Sequence, residues 1–139
     1  MSKIPVEVGS TFTFRKTVSE SDVYQFAGIT GDLYKNHVDE DYMVGTHYGH
    51  RIAHGLLGLS YTSYTSTQAS LQSGLLSVSY GYDRIRFIGA ILIGDTISVS
   101  YAIAEKDEEK MTTRADIRVT NQRGELCIVA QHILKYFEQ

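Results

Sequence analysis

Polar and apolar residues alternate through Thr11-Phe12-Thr13-Phe14-Arg15, the period of a strand with one face buried. The period then lengthens. Ser19-Glu20-Ser21-Asp22 is an S-x-x-D capping signal, and Val23, Phe26 and Ala27 recur at helical spacing until Gly28 and Gly31 end the run. Over 55–73 the apolar positions (Leu56, Leu57, Leu59, Tyr61, Tyr64, Ala69, Leu71) are too dense for a surface helix with one narrow stripe, and they predict a single core helix. Full burial of its four leucines, each worth ~1.5–3 kcal/mol, would rival the whole net stability of a domain. The remainder reads as strands over 75–90, 96–105, 111–120 and 126–136. Turn chemistry separates them at Gly94-Asp95, Lys106-Asp107-Glu108-Glu109 and Asn121-Gln122-Arg123-Gly124. Connections this short make antiparallel neighbours, so the pattern by itself predicts an α+β fold.

Composition narrows the setting. A chain of 139 residues fits one domain, 1–139, and Pro5 is the only proline, with no repeat, linker or low-complexity segment to divide it. A formal net charge of −3 and a pI near 5.9 offer no broad basic surface, so no nucleic-acid partner is expected. The single Cys127, inside Leu126-Cys127-Ile128-Val129, reads as a buried small hydrophobe and excludes an internal disulfide framework. The segment Met1-Ser2-Lys3-Ile4-Pro5-Val6-Glu7 lacks the apolar core of a signal peptide, and no apolar stretch approaches the ~20 residues that cross a bilayer. The expectation is a cytoplasmic protein without a membrane partner.

The candidate chemistry sits in Gly31-Asp32-Leu33-Tyr34-Lys35-Asn36-His37 and in Ala53-His54-Gly55. A carboxylate and an imidazole in one turn-rich loop can converge on a bound molecule and hold, accept and donate a proton near neutral pH. Gly55 opens the apolar helix, where backbone N–H groups have no intrahelical partner and suit a developing negative oxygen.

Together these segments resemble the MaoC-like acyl dehydratases, the family that includes the (R)-specific enoyl-CoA hydratases. Their F-x-x-x-[ST]-G-D-x-N-P-x-H signature is matched by Phe26-Ala27-Gly28-Ile29-Thr30-Gly31-Asp32-Leu33-Tyr34-Lys35-Asn36-His37, followed by Asp39, Tyr42 and Ile52-Ala53-His54-Gly55. Tyr82-Asp83-Arg84-Ile85-Arg86-Phe87 and Ile93-Gly94-Asp95-Thr96 extend the likeness over most of the chain. The family's Asn-Pro is replaced by Tyr34-Lys35, with an asparagine displaced to Asn36, and Ala90 stands near where a proline is expected. Loss of the Asn-Pro proline, where Lys35 now stands, removes a fixed φ from the active loop. The resemblance implies a hotdog fold, with an antiparallel sheet wrapped around the apolar helix. It also implies a homodimer with the acyl thioester near the subunit boundary, and hydration of a 2-enoyl thioester to an (R)-3-hydroxyacyl thioester. No cofactor is implied beyond the coenzyme A of the substrate. In that reaction His37 serves as base and Asp32 as acid, a role that calls for burial of the carboxyl under the helix. The Gly55 N–H receives the enolate oxygen, and Ser63 matches a supporting serine.

Other residues carry weaker claims. Tyr48, His50 and Arg51 form a polar lip before the helix, and Asn36, Tyr48 and Arg51 are candidate substrate contacts. Arg84 and Arg86 could meet the phosphates of coenzyme A or form a solvated strand face. His47, His50 and His54 lack the ligand pattern of a catalytic zinc site, so no metal is expected. Tyr61, Tyr64, Tyr80 and Tyr82 are split between lining the acyl pocket and ordinary packing, and 106–110 reads as a solvated turn. Two alternatives stand beside the hydratase: a hotdog thioesterase, disfavoured by the Gly-Asp-x4-His register, and a non-catalytic acyl-thioester binder.

Overall fold

The structure, a computed structural model, describes residues 2–138. Its elements run β1 (Thr11–Thr17), α1 (Glu20–Thr30), α2 (Lys35–Val38), α3 (Glu40–Val44), α4 (Gly55–Ser60), α5 (Thr62–Ser73), β2 (Leu76–Phe87), β3 (Thr96–Asp107), β4 (Thr112–Thr120) and β5 (Leu126–Phe137). The strands form one five-stranded sheet in the order β1-β3-β4-β5-β2, and every pairing is antiparallel. Strand alternation becomes layered burial because the registers align in-phase residues. Val99, Val119 and Ile128 sit opposite one another across β3, β4 and β5, followed by Tyr101, Ile117 and Ala130, then Ile103, Ala115 and His132. All of these are buried, and Leu57, Leu59 and Ala69 of the helical segment belong to the same core. This is the hotdog arrangement, a sheet curled around a central helix.

The central helix departs from expectation in composition. It is interrupted at Tyr61, and Leu56 and Leu71 are 61% and 69% exposed, so the four-leucine burial does not occur. The buried side of α5 is instead Thr62, Thr65, Ser66, Ala69 and Ser73. Their hydroxyls bond carbonyls of the preceding turn, as in Thr62 Oγ1 to Leu59 O at 2.7 Å and Ser66 Oγ to Ser63 O at 2.9 Å. A small hydroxyl residue satisfied within its own helix can be buried without a tertiary partner.

Two further differences follow from interactions that periodicity does not register. The helices α2 and α3 are too short to show a period; the second is capped by Asp39, whose side chain accepts from Tyr42 N at 3.0 Å. Lys106 does not simply face solvent. Its Nζ donates to Ile4 O and Val6 O, both at 3.1 Å, and so ties the segment carrying the buried Ile4 and Val6 to β3.

Candidate active site

The C-cap of α1 places the acid. Gly31 adopts φ 80°, a left-handed conformation that ends the helix, and its N–H bonds Ala27 O at 2.8 Å. The chain then leaves sideways through Asp32, whose N–H donates to Thr30 Oγ1 at 3.2 Å and whose Oδ1 accepts from Tyr34 N at 3.3 Å. The single turn of α2 lifts His37 back over the same spot. Its Nδ1 lies 2.7 Å from Ile52 O; a carbonyl only accepts, so Nδ1 carries the hydrogen and Nε2 keeps its lone pair. That nitrogen faces Asp32 Oδ2 across 3.9 Å, too far for a direct hydrogen bond and wide enough for one water to bridge. Burial holds His37 below the usual imidazole range and nearby His54 acts in the same direction, against the opposing pull of Ile52 O and Asp32. The ring is therefore neutral at neutral pH. The Asp32 side chain is 52% exposed, so the burial expected of it is not provided by this chain alone.

Gly55 is the first residue of α4, and the first bond of that helix runs from Gly58 N to His54 O at 3.1 Å, which leaves the Gly55 N–H without an intrahelical partner. A cavity of about 170 Å³ adjoins it, walled by Tyr48, His54, Phe87, Ile91 and Ile128 among others. A β-carbon at Gly55 would lie 2.8 Å from the Phe87 ring, so close approach of that ring is what requires glycine here.

The structure brings Asp32 and His37 together with His54, and it sets Tyr48 and Gly55 on one cavity. Asn36 stands beside His37 on α2 with its Oδ1 buried and unpartnered, while its carbonyl accepts from Ile52 N at 3.0 Å. Ser63 is exposed at the start of α5. Arg51 is already engaged, with Nη2 at 2.7 Å from Glu20, Nη1 at 3.0 Å from Tyr24 Oη and its N–H on Glu40 at 2.9 Å. The lip is thus a network tying α1 and α3 to the strand-like segment before α4. Arg84, at φ 53° in a β-bulge, lines an outer groove with Asp116, Arg118 and Gln131, and Arg86 is exposed and bonds Ile85 O at 2.7 Å. Neither arginine joins the dyad in a single chain.

Among the described residues, ligand atoms of Asp32, His37 and His54 lie within 4.8 Å of one another, a different trio from the His47, His50 and His54 that spacing singled out. The planes of the His37 and His54 rings are 27° apart in a stack, so their in-plane lone pairs run side by side and do not converge as metal ligands must. One buried imidazole escaped the sequence reading. His132 lies fully buried on β5, with Nε2 at 2.7 Å from Ser79 Oγ and Nδ1 at 2.8 Å from Tyr101 Oη. Its strand phase, shared with Ala130 and Leu134, was the available signal.

A hotdog sheet whose helix start adjoins a carboxyl group and a free imidazole nitrogen brings together groups that can move a proton beside an unpartnered backbone N–H. The chain matches the family described as MaoC like domain over residues 4–123, and it belongs to that family. It is 32% identical over 105 residues to the (R)-specific enoyl-CoA hydratase of Rhodospirillum rubrum, covering 76% of this chain and 71% of the relative. It is 34% identical over 109 residues to the 3-hydroxybutyryl-CoA dehydratase of Methylorubrum extorquens, covering 78% and 68%. Among solved structures, the unliganded R-hydratase of Pseudomonas aeruginosa superposes with a TM-score of 0.85 at 29% identity, covering 98% of this chain and 87% of that one.

Proposed function

We propose that this protein is a hydro-lyase that reversibly adds water to a 2-enoyl-CoA, giving the (R)-3-hydroxyacyl thioester. The observation that carries the reading is the His37 Nε2 lone pair, left free by the Nδ1–H bond to Ile52 O and facing Asp32 Oδ2 at 3.9 Å. Water held between them gives a proton to Nε2 as its oxygen bonds C3. The C2=C3 electron pair moves to the thioester oxygen, and that enolate is received by the Gly55 N–H at the positive end of α4. C2 takes a proton from the carboxyl of Asp32, which must start in its acid form under cover of the substrate and a second subunit, as the enolate collapses, and the proton on His37 then returns to Asp32. One well-placed backbone donor is worth ~3 kcal/mol of barrier. Asn36 and Tyr48 are the best placed of the substrate contacts; Ser63, Arg84 and Arg86 would meet the carrier through a second subunit, and Arg51 acts by holding the lip. No metal takes part, and the only cofactor-like group is the coenzyme A of the substrate.

The second subunit is supported by the sheet edges. Edge strand β1 shows Thr11, Thr13, Arg15 and Thr17 to solvent, whereas edge strand β2 exposes Leu76, Val78, Tyr80 and Phe87. An open apolar edge favours pairing with a second copy, so a homodimer joined through β2 is the expected assembly, with mass by light scattering as its check. The setting is cytoplasmic, in line with one free, buried cysteine. No helix among the described residues is long and apolar enough to cross a membrane.

Incubation with crotonyl-CoA tests the function. Loss of the enoyl chromophore without free thiol, giving the R product on chiral analysis, is the expected result. Release of free thiol would mean a thioesterase, and binding with neither change would mean an acyl-thioester binder. Gly55→Ala tests the oxyanion donor: the collision with Phe87 should lower the melting temperature despite alanine's better helix propensity, and activity should fall at least tenfold, below the ~10²–10³ typical of a lost donor. Adding Phe87→Leu should recover stability but not activity. Alanine keeps the backbone N–H, so the variant tests close approach of the thioester: recovery of both would show that a β-carbon obstructs no substrate there, which removes Gly55 from the oxyanion role.

A further inference from the structure

His54 occupies the N-cap position of α4, yet its side chain makes no capping bond. The imidazole turns the other way. Its Nε2 lies 2.9 Å from the main-chain oxygen of Asp32, so Nε2 carries the hydrogen and Nδ1, buried and without a partner, carries the lone pair. One face of the ring stacks on His37 with centroids 3.7 Å apart, and it also meets Phe26 of α1 at 4.9 Å. His54 is 3% exposed and packed between Phe26 of α1 and His37 of α2.

We propose that His54 is the positioning residue of the dyad, a clamp whose edge holds Asp32 through its carbonyl and whose face sets the plane of His37, while its own backbone leads directly into the Gly55 N–H. It touches none of the reacting atoms in the proposed hydration. Through it the acid and the base, at the two ends of one loop, and the oxyanion donor at the head of α4 are referred to one ring. The loop between Asp32 and His37 contains no proline to fix its path, so a hydrogen bond to its first carbonyl and a stack against its last side chain restrict it from both ends. Displacement of a reacting group by about 1 Å can cost ~10²-fold in rate, which is the scale on which such a clamp acts.

Two substitutions separate the edge from the face. His54→Phe keeps an aromatic stack but removes the donor to Asp32 O; kcat on crotonyl-CoA should fall roughly 10- to 100-fold with KM changed less than threefold, because geometry and not affinity is lost. His54→Gln keeps a donor but removes the stack. The groups facing His37 are Asp32, His54 and the Ile52 carbonyl, and loss of the His54 ring admits water to His37. The acid limb of the kcat profile should therefore move to higher pH in His54→Gln, toward the ordinary imidazole range. A purely structural role would lower the melting temperature and leave kcat and the profile of the folded protein unchanged, and that outcome overturns the proposal. Imidazole nitrogen NMR on the wild-type protein supplies a readout independent of folding in the variants. His54 should show a protonated Nε2 and an unprotonated Nδ1; the opposite tautomer breaks the clamp at its first bond. The inference rests on the hydratase reading, but the two fail differently. Wild-type protein inert toward crotonyl-CoA defeats the reading, whereas an active wild type with a fully active His54→Phe defeats only the clamp.

Discussion

His37 and His132 are both buried, and loss of solvent holds both below the usual imidazole range, yet only one of them keeps a nitrogen in reserve. On β5, His132 spends Nε2 on Ser79 Oγ and Nδ1 on Tyr101 Oη and stacks against Tyr82 at 4.4 Å. Every polar atom of the ring is satisfied from within the core, so it acts as a cross-brace among β2, β3 and β5. On α2, His37 spends Nδ1 on Ile52 O and leaves Nε2 facing a half-exposed carboxylate. Burial is therefore no guide to function for a histidine; a lone pair left facing a carboxyl group is.

The largest effect that could break this contrast is on turnover. Asp32→Asn and His37→Gln should each lower kcat by ~10²–10⁴, and the double variant should fall little below the worse single one, because residues acting as a unit are not additive. Asp32→Asn, at a half-exposed site, should leave the urea midpoint nearly unchanged. His37→Gln should cost about 1 kcal/mol, since it removes a buried bond and a stacking partner. Wild-type turnover in either variant takes that residue out of the dyad.

His132→Leu should show the opposite signature. It strands the Tyr101 hydroxyl in the core, a loss on the order of 3 kcal/mol in urea unfolding, while turnover of the folded protein stays within about twofold. A large loss of kcat at full stability would show that the brace belongs to the active site.

The pH dependence sharpens the same distinction. The folded-state value of His132 is pushed down to about 4 from an ordinary 6.5, so between those values the unfolded chain binds the extra proton. Stability is then complete above about 6.5 and declines as pH falls toward about 4. The His132 share of the loss is on the order of 3 kcal/mol at 1.36 kcal/mol per unit, and that share should vanish in His132→Leu. With His37 as the proposed base, activity should follow that residue instead. With its value below the usual imidazole range, turnover should persist under mildly acidic conditions and fall only as Nε2 takes a proton, so a stopped assay across that range separates loss of base from loss of fold.

The smallest expected effect is no effect. Treatment with a strong chelator should leave turnover unchanged, because the stacked rings of His37 and His54 cannot converge on one ion. A chelator-sensitive rate restored by zinc would reassign Asp32, His37 and His54 as ligands.

Much of the fold was legible because it is written in periods. Alternation along β3, β4 and β5 is the burial pattern itself, and the capping box at Ser19 is present as the spacing predicts, with reciprocal bonds of 3.0 Å to Asp22. The composition of the central helix was misread because hydrophobic density says how much apolar surface a segment owns, not which side faces the sheet. Leu56 and Leu71 point out, while serines and threonines with self-satisfied hydroxyls point in. Arg51 is a related case: the sequence makes it a candidate substrate contact, and only the fold brings Glu20, Tyr24 and Glu40 around it.

The sequence by itself determined the strand and helix periods, the glycine-terminated helix before Asp32, and the residue types of the proposed acid–base pair and backbone donor, since these depend on neighbours a few positions apart. Tertiary structure decided the rest. Which His37 nitrogen is free depends on Ile52, which lone pair of His54 is bare depends on Asp32, and whether Gly55 tolerates a side chain depends on Phe87. Those partners lie 15, 22 and some thirty residues away along the chain, and only the closing of the sheet around its helix brings them within a hydrogen bond's length or a ring's width.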